Sequence, residues 1–448
     1  MGFRRYGRGL RFGVTQVLAL VGVAGGLFLH GGCGRDEPPA APPGSPSNPN
    51  QKGLKGFDAG TQDAGAGEAD AGHTIRTGDQ VLCSYQDADL FAFAGGAEGG
   101  GLAVAADGRG FAMVFEGGAG EFFARAVPLS GTADEAVRIA GPDVHIAEPL
   151  LAVAGGDFLL AFRDREDDRL FVRSLVSGDA SPQLRSDQVA TDDHGGVLVA
   201  LAARGAGFLL AFVDGEGVLQ LRQLDAAGGI DRAESHEDMF ERAPRDLHLG
   251  FFEDGHALVS WSAEDAEGVP VLMGRMLDPE LVFRGAAFPL SSIEPDGSRF
   301  GFAVHGQSAG VIYGAVEGGV RDAIKFQRAE RDGTTSGPLL NIVNGPRRSR
   351  DGAIASFGQG YVVSHRVLTS RGEAQERIEV AFVNQFGSIV YRGTVGDTSE
   401  RGGPTVVAAT QDGHVLTAWS TVARDGTATT HAAKLYCPGA LILCGGTL

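Results

Sequence analysis

Arginine is the side chain this sequence offers for chemistry at a recurring place. Arg245, Arg299, Arg350 and Arg401 stand 12, 12, 11 and 14 residues ahead of the apolar positions Ala257, Val311, Tyr361 and Val415. Arg347 and Arg348 of "GPRRSRD", and Arg242, add to the set. A guanidinium presents planar, permanently charged donors that grip a carboxylate, phosphate or sulfate in a two-pronged fashion. If the four occupy equivalent places in a repeated unit, Arg245, Arg299, Arg347, Arg350 and Arg401 form an anion-binding face. Read singly, each is ordinary surface charge.

Other spellings carry less chemistry. "GQSAG" (306–310) matches the Gly-x-Ser-x-Gly nucleophile elbow, which needs a strand-to-helix turn. Ser308 instead falls in a turn between two strand-like runs. "HEDMF" (236–240) begins like a zinc-protease helix but has Phe240 where the second His belongs. His256 and His414 sit in matching turns, and the 11 histidines show no ligand spacing, so no metal is expected. "DREDDR" (163–168) gathers acids without the Gly-centred alternation of a calcium loop. No phosphate-cradling loop or other cofactor fingerprint occurs, and no carboxylate pair singles itself out among 56 acids. The expectation is a binding protein rather than an enzyme.

The elements that must position these residues come from a repeat. "GFAMVF", "DFLLAF", "GFLLAF", "HALVSW", "GVIYGA", "GYVVSH" and "HVLTAW" have their second letters at Phe111, Phe158, Phe208, Ala257, Val311, Tyr361 and Val415. Successive anchors are 47, 50, 49, 54, 50 and 54 residues apart, the period of a solenoid, propeller or array. Each unit reads in one order: a small apolar strand such as "PLLAVA", a Gly-containing turn, the anchor strand, then a polar loop. A third strand follows, often with an outward Arg or Lys (Arg125, Arg173, Arg222, Arg275, Lys434), and a weaker fourth closes the unit. Four antiparallel strands in about 50 residues make a propeller blade. The fold expected for 77–448 is therefore all-β, a seven-bladed β-propeller of four-stranded blades. Tandem sandwiches or an elongated array are the rivals, but neither requires seven equivalent anchors. The 70 glycines fit a chain of many tight turns.

Cysteines bear on ring closure. "DLFAFAG" (89–95) precedes the first unit and can supply the outermost strand of the last blade. Cys83 lies just before it and Cys437 ends the last blade's third strand, so a Cys83–Cys437 disulfide is expected to lock the ring. Cys444 competes for Cys437 across "CPGALILC".

The N-terminus reads as an address. Arg4, Arg5, Arg8 and Arg11 precede an apolar stretch from Phe12 to Leu29, followed by "HGGCG". This is the layout of a secretory signal peptide over 1–32. It resembles the lipobox of bacterial lipoproteins, with small residues before Cys33, although His30 stands where that family prefers Leu. The resemblance implies that Cys33 is lipidated and tethers the protein to a membrane in a Gram-negative cell envelope, on the outer membrane or facing the periplasm. Residues 33–76, rich in Pro, Gly, Ala and Asp, read as a disordered linker. Beyond residue 32 the chain has 34 basic and 56 acidic side chains, a net −22 that repels nucleic acid. The function expected is a membrane-tethered platform for a protein or anionic glycan or peptide. The alternatives are a propeller hydrolase or lyase of acidic sugars, and a structural envelope protein. The Ser-x-Asp-x-Gly-x-Thr-Trp turn of propeller sialidases is absent.

Overall fold

The computed structural model describes residues 73–444 except 78–79, 86–89, 97–100, 118–120, 131–132, 141–145, 165–168, 177–182, 185–187, 190–197, 297–298, 318–319, 344–347, 369–375, 399–400 and 424–427. Cys33 and the leader lie outside the described residues. Strand formation starts slightly earlier than the composition implied. His73–Thr77 pairs with Gln80–Tyr85 as a hairpin, so 73–76 belong to the folded part.

Seven antiparallel sheets follow one another around a ring. In blade 4, Asp246–Phe251 is the inner strand, Ala257–Glu264 the second, Pro270–Leu277 the third and Phe283–Pro289 the outer one. The repeated phrase is the second strand of every blade, and its packing explains its composition. In Asp157–Asp164, Phe158, Leu160 and Phe162 pack with Val114, Phe122 and Ile139 of blade 1. Leu159 and Ala161 point the other way, against Phe208, Leu210 and Phe212 of blade 3. Side chains alternate across a strand, so a sheet packed on both faces needs apolar residues at every position. Each of seven clusters joins one blade to the next. The one containing Phe111, Met113, Leu416 and Ala418 joins blade 1 to blade 7 and completes the circle.

The N-terminal segment closes the ring. Leu90–Gly96 pairs with Ala428–Tyr436 from Leu90↔Ala433 to Gly96↔Ala428 and serves as the outer strand of blade 7. The Cys83–Cys437 disulfide links residues 354 apart beside that seam. Cys444 is buried and is not in a disulfide. The short helix Pro438–Leu443 packs over the seam with Ala440 and Leu441 in the blade 6–7 cluster.

Third-strand cations do not point outward. Arg173 donates to the Ile139 carbonyl of blade 1, and Lys434 of blade 7 donates to the Pro128 carbonyl of blade 1 at 3.2 Å. Arg222 and Arg275 lie over the Phe212 and Phe283 rings at 5.4 and 5.3 Å from their centroids. Arg328, on the third strand of blade 5, reaches Gln385, and similar links come from other strands: Arg204 of blade 3 reaches Pro279 and Arg392 of blade 6 reaches Asn341. Backbone carbonyls at blade edges thus find charged donors across the seams.

Candidate functional site at the channel mouth

The inner strands all begin on one face of the ring, so residues at their starts surround the channel mouth. Linear spacing from the anchors does not preserve register there. Arg350 pairs with Arg366 and Arg401 with Val422, whereas in blade 4 it is Asp246, one residue after Arg245, that pairs with Ser262. The turn joining the first two strands varies in length, from His305↔Ser308 in blade 5 to Phe251↔Ala257 in blade 4, and backbone irregularity adds to this. Bulges interrupt the inner strands between Ala147 and Leu150, Arg350 and Ala353, and Gly402 and Thr405. The four arginines therefore share a neighbourhood but not an equivalent position.

Arg245 holds its backbone to Ser262 at 2.8 Å and turns its guanidinium to Glu264 of the same blade. Arg242 donates to the Asp265 carbonyl beside it. Arg299 behaves differently. Its Nη2 donates to Glu148 Oε1 of blade 2 at 2.5 Å, while its side chain stays 78% exposed and that of Glu148 is 38% exposed. Arg350 and Arg401 begin or lie within the first turns of chain in the inner strands Arg348–Phe357 and Arg401–Ala409, and Arg347 lies outside the described residues.

Asp246 completes the arrangement. Its Oδ2 accepts from the Phe300 amide at 3.4 Å and lies 3.4 Å from His248 Nε2. Burial pushes this carboxyl up, but His248, the Arg299 charge and the Phe300 amide together hold it below the usual carboxylate range. His248 is fixed edge-on against Phe300 at 4.3 Å between centroids. Carboxylates from blades 2 and 4 thus flank one exposed guanidinium from blade 5. Glu148, Asp246 and His248 were not singled out by sequence. Glu148 lies in a bulge, Asp246 and His248 lie in a regular strand, and the spacing of the arginines marks neither place.

The remaining sequence candidates fall into structural places. Ser308 begins the second strand of blade 5, hydrogen-bonded to Tyr361 Oη at 3.0 Å, with no helix after it. His236 ends the outer strand of blade 3 and packs edge-on against Phe283. His256 contacts Asp254 and Arg331 in a turn between strands of blade 4. Among the described residues no group of three or more His, Cys, Asp or Glu is placed to hold a metal.

No protein-family model matches the chain, and no curated protein matches it. Solved structures do resemble it. The BP39L lectin from Burkholderia pseudomallei aligns with a TM-score of 0.53 at 14% identity, covering 76% of this chain and 97% of that one. AofleA from Arthrobotrys oligospora gives 0.46 at 10%, covering 69% and 91%. A sialidase from Trypanosoma rangeli gives 0.45 at 12%, covering 70% and 57%. The class of protein that the ring of seven four-stranded sheets defines is the β-propeller. At such identities the likeness is one of fold.

Proposed function

We propose that this chain is an exported, lipid-anchored β-propeller that binds a glycan or peptide bearing carboxylate or sulfate groups at its channel mouth, without chemistry of its own. Arg299 carries the reading. It is 78% exposed, yet it is held at the mouth by Glu148 from blade 2 and by the charge of Asp246 from blade 4. A guanidinium oriented by neighbours but open to solvent keeps donors for an incoming anion. The propeller likeness to a lectin supports a carbohydrate platform at the level of fold.

A hydrolase or lyase of acidic sugars is the second reading. Acid-catalysed glycoside cleavage needs a carboxyl held protonated near neutral pH. Asp246 is shifted in the opposite direction, which favours binding.

A panel of acidic and neutral polysaccharides and peptides tests the proposal. Arg299→Ala, Arg245→Ala and Arg350→Ala are each expected to weaken anion binding by about 1–3 kcal/mol through loss of a charge-assisted pair. The binding is expected to fade as salt rises. Finding neutral binders alone, indifferent to all three substitutions, would sink the proposal. For the anchor, Cys33→Ser is expected to move the protein from membranes to the soluble exported fraction. Continued membrane retention would make the apolar segment an uncleaved span.

A further inference from the structure

Glu148 is placed with a cost. It is one of three described non-glycine residues with positive φ, at 50°. It lies in the bulge between Ala147 and Leu150 of the inner strand of blade 2. The corresponding bulge of blade 6 holds Asp351, also left-handed at φ 52°, whereas the bulge of blade 7, at Gly403, has no positive φ. A left-handed backbone strains a residue that carries a side chain, and glycine escapes the strain. In blade 2 the strained position carries a carboxylate that meets Arg299. Blades 2 and 5 stand three apart in a ring of seven, so this pair spans the channel mouth.

Two features argue against a purely structural strut. Both partners are open to water, where an ion pair is weak and easily exchanged. The Arg299 charge also acts on Asp246, so a second carboxylate still attracts it when Glu148 leaves. We propose that Glu148 is a built-in stand-in for the ligand's acidic group. It holds Arg299 until an incoming carboxylate or sulfate takes its position, and its release opens the span across the mouth. A neutral sugar offers nothing that exchanges for Glu148, so the contact filters for acidic polymers. This inference rests on the anion-binding reading above.

The test measures binding of the full-length protein, solubilised in detergent, to immobilised polygalacturonate and chondroitin sulfate, with dextran as the neutral control. Glu148→Gln removes the competing charge, and Glu148→Gly removes it while suiting the positive φ. Each is expected to bind the acidic polymers about three- to sixfold more tightly, the population that an exposed ion pair withholds. Arg299→Gln is expected to abolish that gain in either background. If both Glu148 variants bind no more tightly than wild type while Arg299→Gln still weakens binding, the stand-in is wrong and the anion-binding reading stands. If neither wild type nor the Glu148 variants retain an acidic polymer, both fall.

Discussion

Two neighbouring residues in blade 6 show how differently a charge-bearing side chain is accommodated in this fold. Arg366 is wholly buried, and its donors reach Glu376 at 2.9 Å and the Gly403 carbonyl of blade 7 at 2.8 Å, with Ser420 beyond. Gly402 is required beside it, because a Cβ there would fall within 2.1 Å of the guanidinium. Replacing Arg366 with Met takes the counter-charge from a carboxylate only 5% exposed. A loss of about 3–5 kcal/mol is expected, read by urea melts. His365 is equally buried, but neither ring nitrogen has a hydrogen-bond partner. Burial, and then the Arg392 charge, push it down to about 3, although Glu379 lies 3.8 Å away. The folded protein therefore keeps this imidazole neutral, while the unfolded chain takes up a proton below about pH 6.5. Stability is expected to fall as pH drops from about 6.5 towards 3, by up to about 1.4 kcal/mol per unit from this group. His365→Phe should flatten that part of the pH–Tm curve; an unchanged slope would assign it elsewhere. Neither role was legible in "GYVVSHRVL", since burial decides the one, and partners in the next strand and in blade 7 decide the other.

At the scale of the element, the strand phrase was the legible part. "DFLLAF" announces a strand with no polar face, and the structure gives each of its faces a different neighbouring blade. Leu159→Ala and Leu160→Ala are thus expected to cost about 2–5 kcal/mol each. A strand with one wet face would tolerate one of the two, so equal losses in thermal melts separate the cases. The inner strands were less legible at their starts. A bulge adds a residue without changing composition, and the turn to the second strand is longer in blade 7 than in blade 6, so counting back from the anchors does not reveal that Arg350 and Arg401 pair two positions apart. Glu148 was hidden for the same reason. "AEPL" reads as ordinary strand, and its positive φ exists only once Ala147 and Leu150 have found their partners.

For the whole molecule, closure by the N-terminal strand was readable from order, because a ring must join its ends, whereas the choice of Cys83 over Cys444 as the partner of Cys437 was left open by the sequence and is decided by the fold. Reducing that bond, or Cys83→Ser, is expected to cost about 2–5 kcal/mol given the 354 residues it encloses, seen as a lower Tm under reductant. Burial pushes the Cys444 thiol up to about 12, so it should resist thiol reagents in the native state. In denaturant one thiol should titrate if Cys33 carries lipid, and two if Cys33 is unmodified. The order of the closing elements also sets the path of mechanical load. A pull on the chain before His73 meets Cys83 before it meets Leu90. The covalent bond passes that tension to Cys437, at the end of a strand hydrogen-bonded on both sides. The ring-closing strand Leu90–Gly96 lies off the line of force. Load applied from the N-terminal side therefore enters the ring through strand Ala428–Tyr436, which two neighbours hold, rather than through the edge strand Leu90–Gly96.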